Sequence, residues 1–117
     1  MSTRNLVAVY GTLKQGRGNH GLLSTAQFVG EGRTVSTHRM YSQGIPYVRK
    51  APDGYTVQVE VYSVSTEVLS SLDALEGHPD WYRRELVPVR VQGTEHEAWM
   101  YMVDGYDHLQ EITSGNY

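Results

Sequence analysis

The chain contains no cysteine, which excludes disulfides, iron–sulfur clusters, thiolate zinc sites and a cysteine nucleophile. It also lacks long apolar runs: none approaches the ~18 residues that a membrane-spanning helix needs. The apolar run that follows Met1–Asn5 is too short for the core of a signal peptide. We therefore expect a soluble, cytoplasmic protein that has no membrane partner.

A basic surplus is missing as well. The 10 basic and 13 acidic residues give a net charge of −3, and the pairs Arg49–Lys50 and Arg83–Arg84 are isolated. Nucleic-acid-binding proteins usually concentrate positive charge on one face, so no nucleic-acid partner is expected. The aromatic residues are biased, with nine Tyr and two Trp against a single Phe. Tyr suits a pocket or a half-wet sheet face, although ordinary strand packing explains most of these residues equally well.

Short strands dominate the pattern of this 117-residue chain, whose length is near the commonest size of one domain. Apolar residues alternate with polar residues over Tyr55–Val64 and again over Arg84–Val91, and this period of two predicts strands. Glu97–Val103 is a third predicted strand. Pro88 has no N–H to donate to a ladder, so it predicts an edge or a bulge in the second strand.

One helix stands out between these strands. Ser65 is suited to its N-cap, Leu69 and Leu72 fall on one face, and Gly77 is suited to its C-terminal stop. A shorter helix is predicted over Asn19–Leu23. Many strands with so little helix predict an α+β fold. We expect a single domain, residues 1–117, built as a compact, mostly antiparallel β-barrel or curled sheet with one or two short helices.

The turn after the buried run Leu6–Val9 is the first candidate for a functional site. Within Tyr10–Leu13, a Gly followed by a Thr can direct backbone N–H groups and a hydroxyl toward a carboxylate or an oxyanion. A plain structural turn explains the same residues equally well. Gly11–Gly16 also matches the first half of a P-loop, but Arg17–Gly18 stand where Lys and Ser or Thr are required, so no nucleoside triphosphate is expected.

Glu76 is the second candidate, because it is the last residue of the predicted helix. Unpaired carbonyl groups at that end carry a partial negative charge, which should raise the pKa of Glu76 toward the range of a general base at neutral pH. From position alone, an inert carboxylate at an exposed helix end is the commoner case. Glu76, His78 and Asp80 together suggest metal ligands, but their spacing in a loop with Pro79 hinders convergence on one ion, so no metal site is expected.

Several motifs follow one another along the chain. Residues 9–20 read Val-Tyr-Gly-Thr-Leu-Lys-x-Gly-x-x-Asn-His, and residues 72–83 contain Leu-Asp-x-Leu-Glu-Gly followed by Trp-Tyr-Arg. Weaker motifs lie at Gly44–Tyr47, Val57–Tyr62, Met100–Tyr101 and Ser114–Gly115. The ordered set resembles the gamma-glutamylcyclotransferase-like family, and its closest likeness is to the gamma-glutamylamine cyclotransferase branch.

The resemblance implies a small mixed barrel and a reaction that uses no cofactor. Members of this family release 5-oxoproline from a small-molecule gamma-glutamyl amide, because the substrate's own α-amine attacks the side-chain carbonyl. By position, the resemblance makes Glu76 the general acid/base. The substrate-binding residues that it implies are Tyr10, Gly11, Thr12, Leu13 and Tyr82.

Two alternatives remain open. A sibling enzyme would trim a gamma-glutamyl group from another small carrier, and a non-catalytic module would keep the ligand-holding loop without turnover. The family commonly has Gly directly before the Glu of its middle strand, whereas this chain has Val59 before Glu60. If that Gly makes room for substrate, Val59 should narrow or reshape the pocket, and pocket width near Val59, Ile45 and Tyr82 should separate the two enzymes.

Overall fold

A closed barrel of five strands is the centre of the fold in the computed structural model, which describes residues 4–117. A second sheet has three strands, and one α-helix packs against the barrel. The elements are β1 (Arg4–Val9), β2 (Gln27–Thr34), β3 (His38–Gln43), β4 (Ile45–Lys50), β5 (Gln58–Ser65), α1 (Thr66–Glu76), β6 (Arg83–Val91), β7 (Thr94–Met102) and β8 (Gln110–Glu111). The predicted α+β barrel with little helix is confirmed.

The strand order around the barrel is β1–β5–β2–β6–β7, and β7 closes it against β1. The β1–β7 pair is parallel and is joined at Val7 and Trp99, whereas the other neighbours are antiparallel. The barrel is therefore mixed and mostly antiparallel. The second sheet has the order β4–β3–β8 and carries the hairpin turn at Gly44.

The three predicted strands exist, with shifted ends. β5 begins at Gln58 and not at Tyr55, because Tyr55 exchanges backbone hydrogen bonds with His38 in an isolated bridge. β6 begins one residue before the predicted Arg84. β7 begins before the predicted Glu97 and ends at Met102.

Of the two alternatives predicted for Pro88, the bulge is wrong and the edge holds only locally, because β6 is not an edge strand of the barrel. β6 lies between β2 and β7, and its register with β7 runs through Pro88 without a shift. Pairing with β2 stops at Thr34 and Val89, and the Pro88 carbonyl accepts a 2.8 Å hydrogen bond from the Val35 N–H. The nitrogen of Pro88 therefore points toward β2, but beyond the last β2–β6 pair. No backbone hydrogen bond between these two strands requires a donor at this position.

Both faces of β5 are buried, and this double burial fixes α1 on the barrel. Val59 and Val61 of β5 point into the barrel core, and so does Val57, which directly precedes the strand. On the other face, Tyr62 and Val64 pack in one cluster with Leu69 and Leu72 of the helix. Burial of each such apolar side chain contributes roughly 1.5–3 kcal/mol. The helix end, and with it Glu76, is thereby held at a defined place beside the barrel.

The ends of α1 follow the predicted local signals. Ser65 Oγ accepts a 3.2 Å hydrogen bond from the Val68 N–H, as an N-cap does. Gly77 adopts φ 67°, the left-handed conformation of a helix stop, so Glu76 is the last helical residue. The shorter predicted helix is a 3-10 helix over His20–Leu23. Within residues 4–117, no helix is long and apolar enough to cross a membrane.

His38 should make the stability of the protein sensitive to acid. Its side chain is fully inaccessible, and burial, reinforced by Lys50, lowers its pKa from 6.5 to about 4. Because the folded state disfavours the protonated ring, the stability that neutral His38 contributes is present above pH 6.5 and is lost as the pH falls toward 4. We expect this residue alone to remove about 3 kcal/mol of unfolding free energy between pH 7 and pH 4.

Denaturant unfolding of the wild type and of His38→Gln at pH 7 and pH 4 checks this expectation. The unfolding free energy of the wild type, relative to that of the variant, should fall by about 3 kcal/mol at the lower pH. A difference between the two proteins that does not change with pH contradicts it.

Candidate active site

A cavity of about 170 Å³ opens between the end of β1, the β3–β4 hairpin and the end of α1. The residues that line it are Ala8, Val9, Tyr10, Gly11, Thr12, Leu13, Asn19, Ile45, Pro46, Leu75, Glu76, Trp81, Tyr82 and Tyr101. All six predicted site residues are among them. The cavity therefore joins the Tyr10–Leu13 loop to Glu76 and Tyr82, which lie more than sixty residues further along the chain.

The Tyr10–Leu13 loop offers hydrogen-bond donors to this cavity. Asn19 braces the loop, because its N–H donates to the Thr12 carbonyl and its Nδ2 donates to Thr12 Oγ1, both at 2.9 Å. Within residues 4–117, the backbone N–H groups of Gly11, Thr12 and Leu13 donate no hydrogen bond to a protein acceptor. In residues that are buried or half-buried, as these three are, a backbone N–H group requires a partner. A carboxylate or an oxyanion in the cavity can supply one.

Gly11 is required by the close approach of Pro46. A Cβ atom at position 11 would lie 2.7 Å from Pro46 Cγ and 3.1 Å from its Cδ. The pyrrolidine ring cannot rotate away as a flexible side chain can, so any larger residue must displace the loop or β4. Gly11 therefore allows the Tyr10–Leu13 loop and β4, two walls of the cavity, to lie close together.

Glu76 is the ionisable group whose pKa best suits acid–base chemistry. Burial raises the pKa of its carboxyl group from 4.5 to about 7. The predicted direction is right, and burial accounts for the rise in pKa. Among the described residues, none donates a hydrogen bond to its carboxylate. The group is thus balanced between its charged and neutral forms near neutral pH.

Two tyrosines fix the walls beside Glu76. The Tyr10 hydroxyl donates a 2.6 Å hydrogen bond to the Tyr101 carbonyl, and the Tyr82 hydroxyl donates a 2.9 Å hydrogen bond to the Pro46 carbonyl. Burial raises the pKa of both phenols, and the charge of Glu76 raises it further. Both side chains therefore stay protonated and serve as positioned walls.

A partly buried polar network beside the cavity was not predicted. Asp73 accepts a 2.6 Å hydrogen bond from the Tyr101 hydroxyl and a 2.8 Å ion-paired hydrogen bond from Arg84 Nε. Burial favours the neutral acid, but Arg84 and Tyr101 outweigh it and hold the pKa of Asp73 below its usual value. Arg84 also lies 4.3 Å from the centre of the Trp99 ring. The network ties α1, one turn before Glu76, to β6 and β7.

Other lining residues were missed although the quoted motifs contain them. Asn19, Pro46 and Tyr101 belong to these motifs, and Trp81 directly precedes Tyr82. Ile45, which was expected near the pocket, does line it. In contrast, Val59 is fully buried in the barrel core and is not among the lining residues. The expectation that Val59 narrows the pocket is therefore wrong, because its side chain points into the barrel.

The suggested ligand set Glu76, His78 and Asp80 does not assemble. Across residues 4–117, no three His, Asp or Glu side chains are arranged to hold a metal ion. His78 Nδ1 instead accepts a 3.2 Å hydrogen bond from the Arg84 N–H.

Comparisons with known proteins identify the family. The family model described as gamma-glutamyl cyclotransferase, AIG2-like, matches residues 7–117. A putative gamma-glutamylcyclotransferase of Methanocaldococcus jannaschii is 42% identical over 97 residues, which cover 81% of each chain. Gamma-glutamylaminecyclotransferase B of Danio rerio is 34% identical over 96% of this chain and 67% of its own length.

A solved structure agrees with these relatives. The crystal structure of an AIG2-like protein from Mus musculus superposes with a TM-score of 0.88 at 27% identity, and the match covers 97% of this chain and 88% of the mouse chain. The chain belongs to the gamma-glutamyl cyclotransferase, AIG2-like family.

Proposed function

We propose that this protein cleaves the gamma-glutamyl amide of a small amine into 5-oxoproline and the free amine, with Glu76 as the general acid/base. The observation that carries the proposal is the position of Glu76. Its carboxyl group, whose pKa is about 7, shares one cavity with the unbonded N–H groups of the Tyr10–Leu13 loop. The relative named gamma-glutamylaminecyclotransferase B supports an amine as the leaving group.

The reaction requires two proton transfers that one carboxylate can perform in sequence. The Glu76 carboxylate first takes a proton from the substrate α-ammonium, and the free amine then attacks the γ-carbonyl carbon to form a five-membered ring. The bond from that carbon to the amide nitrogen breaks as Glu76 returns the proton to the departing nitrogen. The ring nitrogen releases its second proton to solvent, and the freed amine takes up one proton from solvent to leave as an ammonium. A group with a pKa near 7 suits both directions at neutral pH.

The loop supplies charge stabilisation. As the amine attacks, the carbonyl oxygen becomes an oxyanion that needs hydrogen-bond donors already in place. The N–H groups of Gly11, Thr12 and Leu13 have this character, because the protein gives them no other acceptor among its described residues. Tyr10 and Tyr82 act as rigid walls that hold the substrate chain bent toward ring closure.

The product assay tests the reaction class. The purified protein should release 5-oxoproline from gamma-glutamyl amides of simple primary amines, detected by mass spectrometry with the free amine in equal amount. A folded protein that binds these amides but releases no 5-oxoproline would favour the non-catalytic module. Release only from a different gamma-glutamyl carrier would favour the sibling enzyme.

The pH dependence of catalysis is a second prediction. Because the carboxylate form of Glu76 accepts the first proton, kcat/KM should fall tenfold per pH unit on the acid side, with an inflection at about 7. The measurement is kcat/KM for one gamma-glutamyl amide from pH 5 to pH 9. An inflection at the ordinary glutamate pKa of 4.5 would contradict the role given to burial.

A further inference from the structure

Residues 114–117 lie against the outside of the candidate active site and contact two of its walls. We propose that Tyr117 is a positioning residue for the proposed reaction, because it links the segment that follows the Tyr10–Leu13 loop to the β3–β4 hairpin. We call these contacts the Tyr117 link. The inference rests on the proposed function, since it concerns the placement of the same loop during the same reaction.

One end of the Tyr117 link is formed by two cations that follow the loop. Lys14 Nζ donates a 3.1 Å hydrogen bond to the main-chain oxygen of Tyr117, and Arg17 Nη2 donates another of 3.0 Å. The Arg17 guanidinium also lies 4.9 Å from the centre of the Tyr117 ring, a distance at which a cation and an aromatic face attract each other. The Lys14 N–H donates a 3.0 Å hydrogen bond to the Gly11 carbonyl, so this end is joined to the loop itself.

The other end of the Tyr117 link lies on the hairpin. The Tyr117 hydroxyl donates a hydrogen bond to the Gly44 carbonyl, at the turn between β3 and β4. Ile45 and Pro46 directly follow that turn and line the cavity. The Tyr117 ring is partly buried and packs against the barrel core between the two ends. A single residue thus connects two walls of the cavity that are more than twenty-five residues apart in the chain.

The motif at Ser114–Gly115 fixes the segment that carries Tyr117. Gly115 adopts φ 71°, and an added Cβ atom would overlap the Thr56 carbonyl oxygen, so only glycine fits there without displacing the backbone. The Gly115 carbonyl accepts a 2.8 Å hydrogen bond from the Gln58 N–H, at the first residue of β5. Tyr117 therefore reaches the cavity walls from a fixed point on the barrel.

The contact between Gly11 and Pro46 does not by itself hold these walls together. It limits how near the loop and β4 can come, but it does not resist their separation. The hydrogen bonds of the Tyr117 link resist separation. The loop N–H groups must stay beside the developing oxyanion, and a misplacement of about 1 Å can cost about 100-fold in rate.

Removal of the phenol tests the hairpin end. Tyr117→Phe keeps the ring but loses the hydroxyl that bonds Gly44, and we expect kcat for 5-oxoproline release to fall about fivefold. Because the oxyanion forms only in the transition state, KM should change less than about twofold. Tyr55→Phe is the matched control: the Tyr55 hydroxyl bonds Glu111 at 2.9 Å, and Tyr55 does not line the cavity. It should keep the wild-type kcat.

The two ends act in series, and this predicts a non-additive result. Lys14→Met/Arg17→Met removes both side-chain donors to the main-chain oxygen of Tyr117 and should also lower kcat about fivefold. Loss of either end releases the loop from the hairpin, so the triple variant with Tyr117→Phe should be no slower than the slower of its two parents. Independent structural effects would multiply to about 25-fold, and that result would overturn the proposal.

Hydrogen exchange separates this proposal from the proposed function, because it needs no turnover. The N–H groups of Lys14 and Asn19, which donate to the carbonyls of Gly11 and Thr12, should exchange faster in Tyr117→Phe than in the wild type. The amides of β6 and β7 should keep their rates.

Two outcomes distinguish the failures. A wild type that releases no 5-oxoproline, with faster loop exchange in Tyr117→Phe, would contradict the reaction and keep the positioning role. Release of 5-oxoproline at the same kcat by the wild type and Tyr117→Phe would keep the reaction and overturn the positioning role, whatever the exchange rates.

Discussion

A Glu76→Gln variant is expected to release 5-oxoproline about 10³-fold more slowly than the wild type. The amide has nearly the shape of the carboxylate, but it can neither accept the proton of the α-ammonium nor return one to the departing nitrogen. The loss should therefore appear in kcat, measured at saturating substrate, with little change in the affinity for the gamma-glutamyl group.

Glu67→Gln is the matched control, because Glu67 is an exposed carboxylate in the first turn of the same helix. It should retain wild-type turnover. Activity of Glu76→Gln within a few-fold of the wild type would remove Glu76 from the mechanism, whatever the other residues of the cavity do.

The Glu76→Gln variant should be more stable than the wild type at high pH. Burial raises the pKa of Glu76 to about 7, so its favourable state is the neutral acid, and this stabilising contribution is lost as the pH rises from 4.5 through 7. Relative to the wild type, Glu76→Gln should gain about 2 kcal/mol of unfolding free energy between pH 4.5 and pH 8, allowing for partial solvation. Denaturant unfolding at both pH values measures it, and a constant difference would contradict the buried carboxylate.

His38 and Glu76 oppose each other in the pH range between about 4 and 7. Acid destabilises the protein through His38 and stabilises it through Glu76, so the pH profile of the wild type alone contains two terms of opposite sign. Comparison of His38→Gln with the wild type isolates the contribution of His38 to the pH dependence, and comparison of Glu76→Gln isolates that of Glu76. A protein that keeps a carboxylate buried at the cost of stability is consistent with a site maintained for chemistry.

Local signals in the sequence predicted the helix well and the strand ends less well. Ser65 and Gly77 act on backbone groups within a few residues, so both ends of α1 could be read from the sequence. The start of β5 depends on His38, a residue distant in sequence that forms an isolated bridge with Tyr55. The local edge at Pro88 exists only because β2 ends at Thr34, opposite Val89. Such information is tertiary and is absent from local patterns.

The candidate site shows the same division. Periodicity placed the Tyr10–Leu13 loop after a strand and Glu76 at a helix end, but it could not bring them into one cavity; the ordered motifs suggested that pairing. The Asp73, Arg84 and Tyr101 network could not be predicted, because its members lie on α1, β6 and β7. The raised pKa of Glu76 was expected from the helix end and arises from burial, which depends on the packing around the cavity.

A Gly11→Val variant is expected to lose at least about 100-fold in kcat/KM while remaining folded. Its Cβ would lie 2.7 Å from Pro46 Cγ, so the loop and β4 must move apart. The displacement that relieves this contact moves the N–H groups of the loop away from the developing oxyanion. The overpacking should also cost about 1–3 kcal/mol of unfolding free energy. Both quantities are measured, by 5-oxoproline release and by denaturant unfolding.

Gly18→Val separates a specific clash from a general effect on the loop. Gly18 lies in the segment that follows β1, no heavy atom lies within 4 Å of its added Cβ, and its φ is not in the left-handed region. This variant should keep both turnover and stability. If Gly11→Val folds and turns over normally, the loop does not hold the oxyanion. If Gly18→Val fails to the same degree, mobility of the whole segment, and not the spacing between Gly11 and Pro46, governs catalysis.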